Sequence, residues 1–142
     1  MLKIALLFML FSLFSNSIYP QILKIDISNI RNNKGVLRIA IFKNSASFNK
    51  DEAFSSKNIC KKDIENGQFS IAFEDIPKGL YGIAVLDDED ENGSMTYNFF
   101  GYPQEGCGFS DYYHTGILRP KFDNFKFHFY EDKTVVVRLR YY

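Results

Sequence analysis

An all-β fold, an antiparallel β-sandwich with one long Gly/Pro loop, is predicted by three observations. Short runs of alternating apolar and polar residues recur along the chain. Turn signals such as Asn66-Gly67 and Pro77-Lys78-Gly79 separate them. Aromatic residues, 15 Phe and 9 Tyr with no Trp, fall mostly within those runs, as strands favour. About seven strands, with turns roughly every ten residues, point to an immunoglobulin-like or prealbumin-like topology, with an open barrel as the alternative. At 142 residues the chain is one domain, large enough to bury a core.

The N-terminus stands apart from this pattern. Lys3 supplies a positive charge, and Ile4 to Phe14 is an apolar run too short to span a bilayer comfortably. With small residues at Ser15 and Ser17, residues 1–17 read as a secretory signal and residues 18–142 as the domain; an uncleaved anchor is the other reading. No second apolar segment of spanning length follows. The expected destination is the periplasm, the outer surface or the medium.

Leu23, Ile25 and Ile27 alternate with Lys24, Asp26 and Ser28, the pattern of a half-buried strand. Asn32 to Gly35 is then a turn, and Val36 to Lys43 the returning strand of a hairpin. Asn49, with Glu52 three residues on, predicts the N-cap of a short helical turn. Phe69, Ile71 and Phe73 form the inward face of a further strand. The run from Tyr81 to Leu86 is apolar on both faces and so belongs in the middle of its sheet. Asn98 to Asp123, with four glycines and two prolines, reads as a long loop, functional or pinned by its own side chains. Two strands close the chain, one with Phe125, Phe127 and Phe129 inward and one with Val135, Val137, Leu139 and Tyr141 on one face.

Composition excludes one class of partner. Seventeen basic and 17 acidic residues balance, with none of the basic stripes that phosphate neutralisation requires, so nucleic acid is not expected. Export would permit the two cysteines, Cys60 and Cys107, to form a disulfide.

The densest chemistry lies where the central strand ends. Asp88, Asp90 and Asn92 stand at positions one, three and five of a loop, with Gly93 at six and Thr96 at nine. Alternate oxygen side chains around a glycine turn converge on one point, which suits the hard cation Ca²⁺. Position twelve is Phe99 and not a bidentate Glu, so a carboxylate from elsewhere must complete the site, with Asp87, Glu105 and Asp111 as candidates. Asn92 would offer its carbonyl and Ser94 its backbone. The alternative is a solvated acidic turn, since Asp, Asn and Gly favour turns without metal.

Other constellations are weaker. Cys107 with His114, or Ser110 with His114 and Asp111, match no nucleophile motif, so no catalytic residues are assigned. Tyr97, Tyr102, Tyr112 and Tyr113 would line a surface for a glycan, peptide or small molecule, or else pin the loop to the sandwich.

Taken in order, "IPKGLYGIAVLDDEDENGSMTYNFFGYPQEGCGFS" and "RPKFDNFKF" resemble the secreted bacterial proteins of domain-of-unknown-function family 2141. The resemblance rests on Pro77, Gly79 and Tyr81; on Asp88, Asp90, Asn92 and Gly93; on Gly101, Pro103, Glu105, Gly106, Gly108, Phe109 and Ser110; and on Pro120 and Phe122. It implies secretion and the sandwich fold, and no activity. Where the family often carries His, a carboxylate and an aromatic, this chain has Asp87, Thr96 and Cys107. The expectation is thus an exported, non-enzymatic β-sandwich module with a Ca²⁺-binding loop. Its alternatives are a small-molecule or glycan binder and a hydrolase.

Overall fold

A computed structural model describes residues 19–142, so the signal segment read over residues 1–17 lies outside the described residues. Eight strands are present among them: β1 (Leu23–Ser28), β2 (Val36–Phe42), β3 (Ser55–Cys60), β4 (Phe69–Phe73), β5 (Gly79–Asp88), β6 (Gly106–Phe109), β7 (Lys126–Phe129) and β8 (Lys133–Arg138). Helix α1 (Ser45–Asn49) and a 3₁₀ turn (Phe122–Asn124) complete the regular structure. No helix among the described residues is long and apolar enough to cross a membrane.

The strands form two sheets. The smaller runs β4-β1-β8, with β1 antiparallel to β4 and parallel to β8. The larger runs β3-β2-β5 and continues to β6, with β7 also paired to β5. Both lie on the same side of β5: β7 pairs with Gly79 to Gly82, and β6 with Ala84 to Asp87. Alternation then places Leu23, Ile25, Ile27, Val135, Val137 and Leu139 against Leu37, Ile39, Ile41, Ile83, Val85 and Phe129, all buried in one core. Each such side chain contributes roughly 1.5–3 kcal/mol when fully buried.

A second cluster lies on the outer face of the larger sheet. Phe42, Phe48, Phe109, Phe122 and Phe125 pack there, Phe48 edge to face against Phe42, Phe109 and Phe125, with Phe48 and Phe125 centroids 4.9 Å apart. Gly82 makes room for it, since a Cβ at that position would stand 2.7 Å from the rings of both Phe122 and Phe125. β5 is therefore covered on both faces, which is why its sequence is apolar on both.

Four expectations are corrected. First, β1 and β2 do not form a hairpin; they lie in different sheets and face each other across the core. Alternation alone does not distinguish a neighbour in the sheet from one across the sandwich, and the link from Asn29 to Gly35 is longer than a tight hairpin turn. Second, the helix N-cap is Asn44 and not Asn49: Asn44 Oδ1 accepts from Ser47 N at 2.8 Å, and Ser47 takes the reciprocal position of the capping box. Third, the Asn98 to Asp123 segment contains strand β6. Glycine lowers strand propensity, but Gly106 and Gly108 lie where Tyr141 and Val137 pack, so the missing side chains let β6 approach β8. Cys107 and Arg140 exchange backbone hydrogen bonds of 3.1 and 2.9 Å across that approach. Fourth, Cys60 and Cys107 are free. They sit on β3 and β6 with β2 and β5 between, about 14 Å at ordinary strand spacing, twice the Cα separation a disulfide tolerates.

Candidate functional site

The site grows from the parity of β5. Tyr81, Ile83 and Val85 face the core, so Asp87 does too, and Asp88 faces outward on the side of Arg38 from β2. Both carboxylates are wholly buried. Their surroundings then differ completely.

Asp88 organises the loop. Its Oδ2 pairs with Arg38 Nε and accepts Gly93 N at 2.9 Å, while Oδ1 accepts Asn92 N at 3.1 Å. Burial pushes its carboxyl up, but Arg38 and the Gly93 N–H together outweigh it and hold the pKa below the usual value. Gly93, at φ +89°, provides the left-handed backbone that turns the chain back. Asp90 is held at the loop's centre, where Oδ2 accepts from Asn92 Nδ2 at 3.0 Å and Thr96 Oγ1 at 3.2 Å.

Glu105 returns from the far end of the loop. Its Oε1 accepts Glu89 N at 2.9 Å and its Oε2 accepts Thr96 N at 3.1 Å, so it staples the two limbs together. It is 4% exposed. Burial, followed by the charge of Asp90, raises its pKa in spite of the two N–H donors. One oxygen from each of Asp88, Asp90 and Glu105 lies within 4.8 Å of the others. That separation is close to the spacing of oxygens around Ca²⁺, which stand about 2.3–2.6 Å from the ion.

Charge pairing separates these groups from their neighbours. Asp87 is in ionic contact with Lys61, Glu89 with Arg31 at 2.5 Å and Asp88 with Arg38. Arg31, first among the causes, lowers the pKa of Glu89. Asp90 and Glu105 have no such partner among the described residues. Three of the five acidic residues from Asp87 to Glu91 are thus neutralised from other elements, Glu91 is exposed to solvent, and the remaining unpaired carboxylates, Asp90 and Glu105, meet at the point of convergence.

The remaining residues read from the sequence are dispersed. Asp87 turns into the sandwich, and its Oδ2 accepts from Tyr141 Oη at 2.6 Å, so it does not join the cluster. Asn92 presents its amide nitrogen to Asp90 and Thr96, while its Oδ1 accepts from Ser94 N at 2.9 Å, so Ser94 is engaged with Asn92. Thr96 borders the cluster through its hydroxyl. Asp111 lies against the edge of β8 instead, exchanging 2.8 Å hydrogen bonds with the backbone of Val136. Ser110 Oγ is buried, accepting Ile83 N at 2.9 Å and donating to Phe125 O at 2.7 Å. His114 Nε2 is 2.6 Å from Leu118 O. Burial pushes the Cys107 thiol up, away from the reactive thiolate.

The four tyrosines do not share one surface. Tyr97 is 57% exposed and lines a cleft of ≈ 610 Å³ on the outer face of the larger sheet, bounded also by Arg38, Leu86, Phe109, Leu118 and Tyr142. Tyr112 is half-buried against the phenylalanine cluster, Tyr113 lies under the Arg138 guanidinium at 5.0 Å, and Tyr102 projects from the loop. Sequence reading missed this cleft and also missed Lys61 and Tyr141. Strand parity signalled Asp87, because the position after Tyr81, Ile83 and Val85 must face the core and a carboxylate there needs a partner.

No curated protein and no solved structure matches the chain. Residues 25–137 match the family described as "Uncharacterized protein conserved in bacteria", DUF2141. This span takes in every strand but the first residues of β1 and the end of β8, with the whole acidic loop inside it, and the chain belongs to that family.

Proposed function

We propose that this is an exported, non-enzymatic β-sandwich module that binds Ca²⁺ in the loop between β5 and β6. Asp88, Asp90 and Glu105 supply the carboxylates, Thr96 a hydroxyl, and Asn92 its carbonyl once the amide turns inward. The observation that carries the reading is the convergence of three carboxylates with a single basic partner, Arg38, among them. Like charges held that close, two of them buried, cost free energy that a hard cation relieves.

Thermal melting tests it. A ligand that binds only the folded state at ten times its Kd adds about 1.4 kcal/mol, or roughly 5 °C for a domain of this size. Millimolar Ca²⁺ is expected to give that shift over a chelator, and Asp90→Asn to abolish it while leaving the chelated Tm unchanged. Identical curves with Ca²⁺ and chelator would end the proposal. Export is checked separately, by an N-terminus at Ile18 in protein recovered outside the cytoplasm.

The cleft supports a second reading, a small apolar or aromatic ligand or glycan. Its volume is within the range of ligand pockets, and Tyr97 stands at its edge. An apolar fluorescent probe should bind the folded protein stoichiometrically and lose affinity in Tyr97→Ala; equal affinity in the variant would remove Tyr97 from the site.

A further inference from the structure

Lys61 and Asp87 form a second constellation, separate from the cation loop. Both side chains are 0% exposed, and Lys61 Nζ is in direct contact with Asp87 Oδ1. Yet Asp87 Oδ1 has no hydrogen bond, the one buried side-chain oxygen or nitrogen of which this is true among the described residues. The amine therefore meets the carboxyl group off the hydrogen-bonding direction. The second oxygen, Oδ2, accepts from the Tyr141 hydroxyl at 2.6 Å. Lys61 Nζ is steadied by Asn32 Oδ1 at 3.1 Å.

We propose that Lys61 and Asp87 join in an intramolecular amide, an isopeptide bond that ties the chain just beyond β3 to the central strand β5. In water an ammonium and a carboxylate are more stable than their amide because both charges are solvated. Here burial removes that solvation from both, and fixed contact removes the entropy of bringing them together.

The step needs no co-reactant. A proton passes from the ammonium to Asp87 Oδ1, leaving an amine and a carboxylic acid. The amine lone pair attacks Asp87 Cγ, the C–N bond forms, and the carbonyl electrons move to Oδ2, where the Tyr141 hydroxyl stabilises them. A proton on nitrogen passes to the Oδ1 hydroxyl, the C–O bond breaks and water leaves as the carbonyl re-forms. Ammonium plus carboxylate become amide plus water, with no change in net charge or oxidation state.

The mass of the full-length chain, read against its own observed N-terminus, is the test. The expected result is a mass lower than the sequence by one water, with a cross-linked Lys61/Asp87 peptide in the digest. Tyr141→Phe keeps the ring and removes the donor; it is expected to slow the mass loss by about 10²-fold after cell-free synthesis. The unlinked form is expected to melt lower, since the hydroxyl accepts from Arg31 N at 3.1 Å as well as donating to Asp87, so the mass is read on protein shown to be folded by circular dichroism. An unaltered mass after prolonged incubation, meaning an ion pair only, overturns the proposal, as does a water loss mapped to any other residue. The result is independent of Ca²⁺, because Asp87 lies outside the cation cluster.

Discussion

At the scale of single residues, neighbouring carboxylates take different roles because strand parity separates them. Asp87 and Asp88 are adjacent and equally buried, yet one faces Lys61 and Tyr141 and the other faces Arg38 and the loop. Asp88, Asp90 and Glu105 were legible in the sequence because turn chemistry is local and Glu105 is the acidic residue nearest the loop's return. The displacement of Asp87 was legible only in the parity of β5, since spacing within a loop says nothing about which face a strand residue takes. Glu105 has a pH consequence. Its folded pKa is raised above the unfolded value by burial and by Asp90, so holding it ionised costs stability above that folded pKa, and the cost disappears as pH falls through it. A bound cation offsets this cost. The Ca²⁺-induced rise in Tm is therefore expected to be full at neutral pH and to vanish as pH falls through the window just above the ordinary carboxylate range. Melting with and without Ca²⁺ from pH 7 to pH 4 measures it, and a rise that grows on acidification would contradict the assignment of Glu105.

At the scale of elements, the helix start was a choice between two local caps, and the placement of strands depended on tertiary partners. Asn49 with Glu52 fits the usual Asn-x-x-Glu capping pattern, whereas the helix uses the equally local but less typical pair of Asn44 and Ser47. Asn44→Ala is expected to cost about 1 kcal/mol in urea unfolding and Asn49→Ala to be near neutral; the reverse order would restore the sequence reading. The Asn98 to Asp123 segment reads as a loop from its four glycines, two prolines and lack of alternation, and β6 is a strand within it because it pairs with β5 along Ala84 to Asp87. Ser110, directly after β6, holds that arrangement by bonding both Ile83 N and Phe125 O. Ser110→Ala leaves both backbone groups without that partner in a buried site and is expected to destabilise by about 1–3 kcal/mol. A loss below a few tenths would mean that the backbone rearranges to pair them.

At the scale of the whole molecule, two facing apolar patterns were enough to call for a sandwich, and strand order was beyond them. Order depends on which edges meet, and here the two long sides differ. On one side β6 and β8 are joined through Cys107 and Arg140, with Asp111 adding bonds to Val136. On the other, β3 and β4 each pair with one neighbour, β2 and β1 respectively. β1, β2 and β5 are paired on both sides and carry the buried core. Local opening follows the lowest density of buried contacts and backbone pairing, so native-state hydrogen exchange is expected to release β4 and the Ser55 end of β3 first and β5 last. The Cys60 end of β3 should resist, because Lys61 anchors it to Asp87 through either an ion pair or an amide. Amide-resolved exchange under conditions of fast reclosing reads these free energies directly. Uniform protection across β3 would remove the anchoring role of Lys61, and earlier exchange in β6 than in β4 would show that the joined side is not the stronger one.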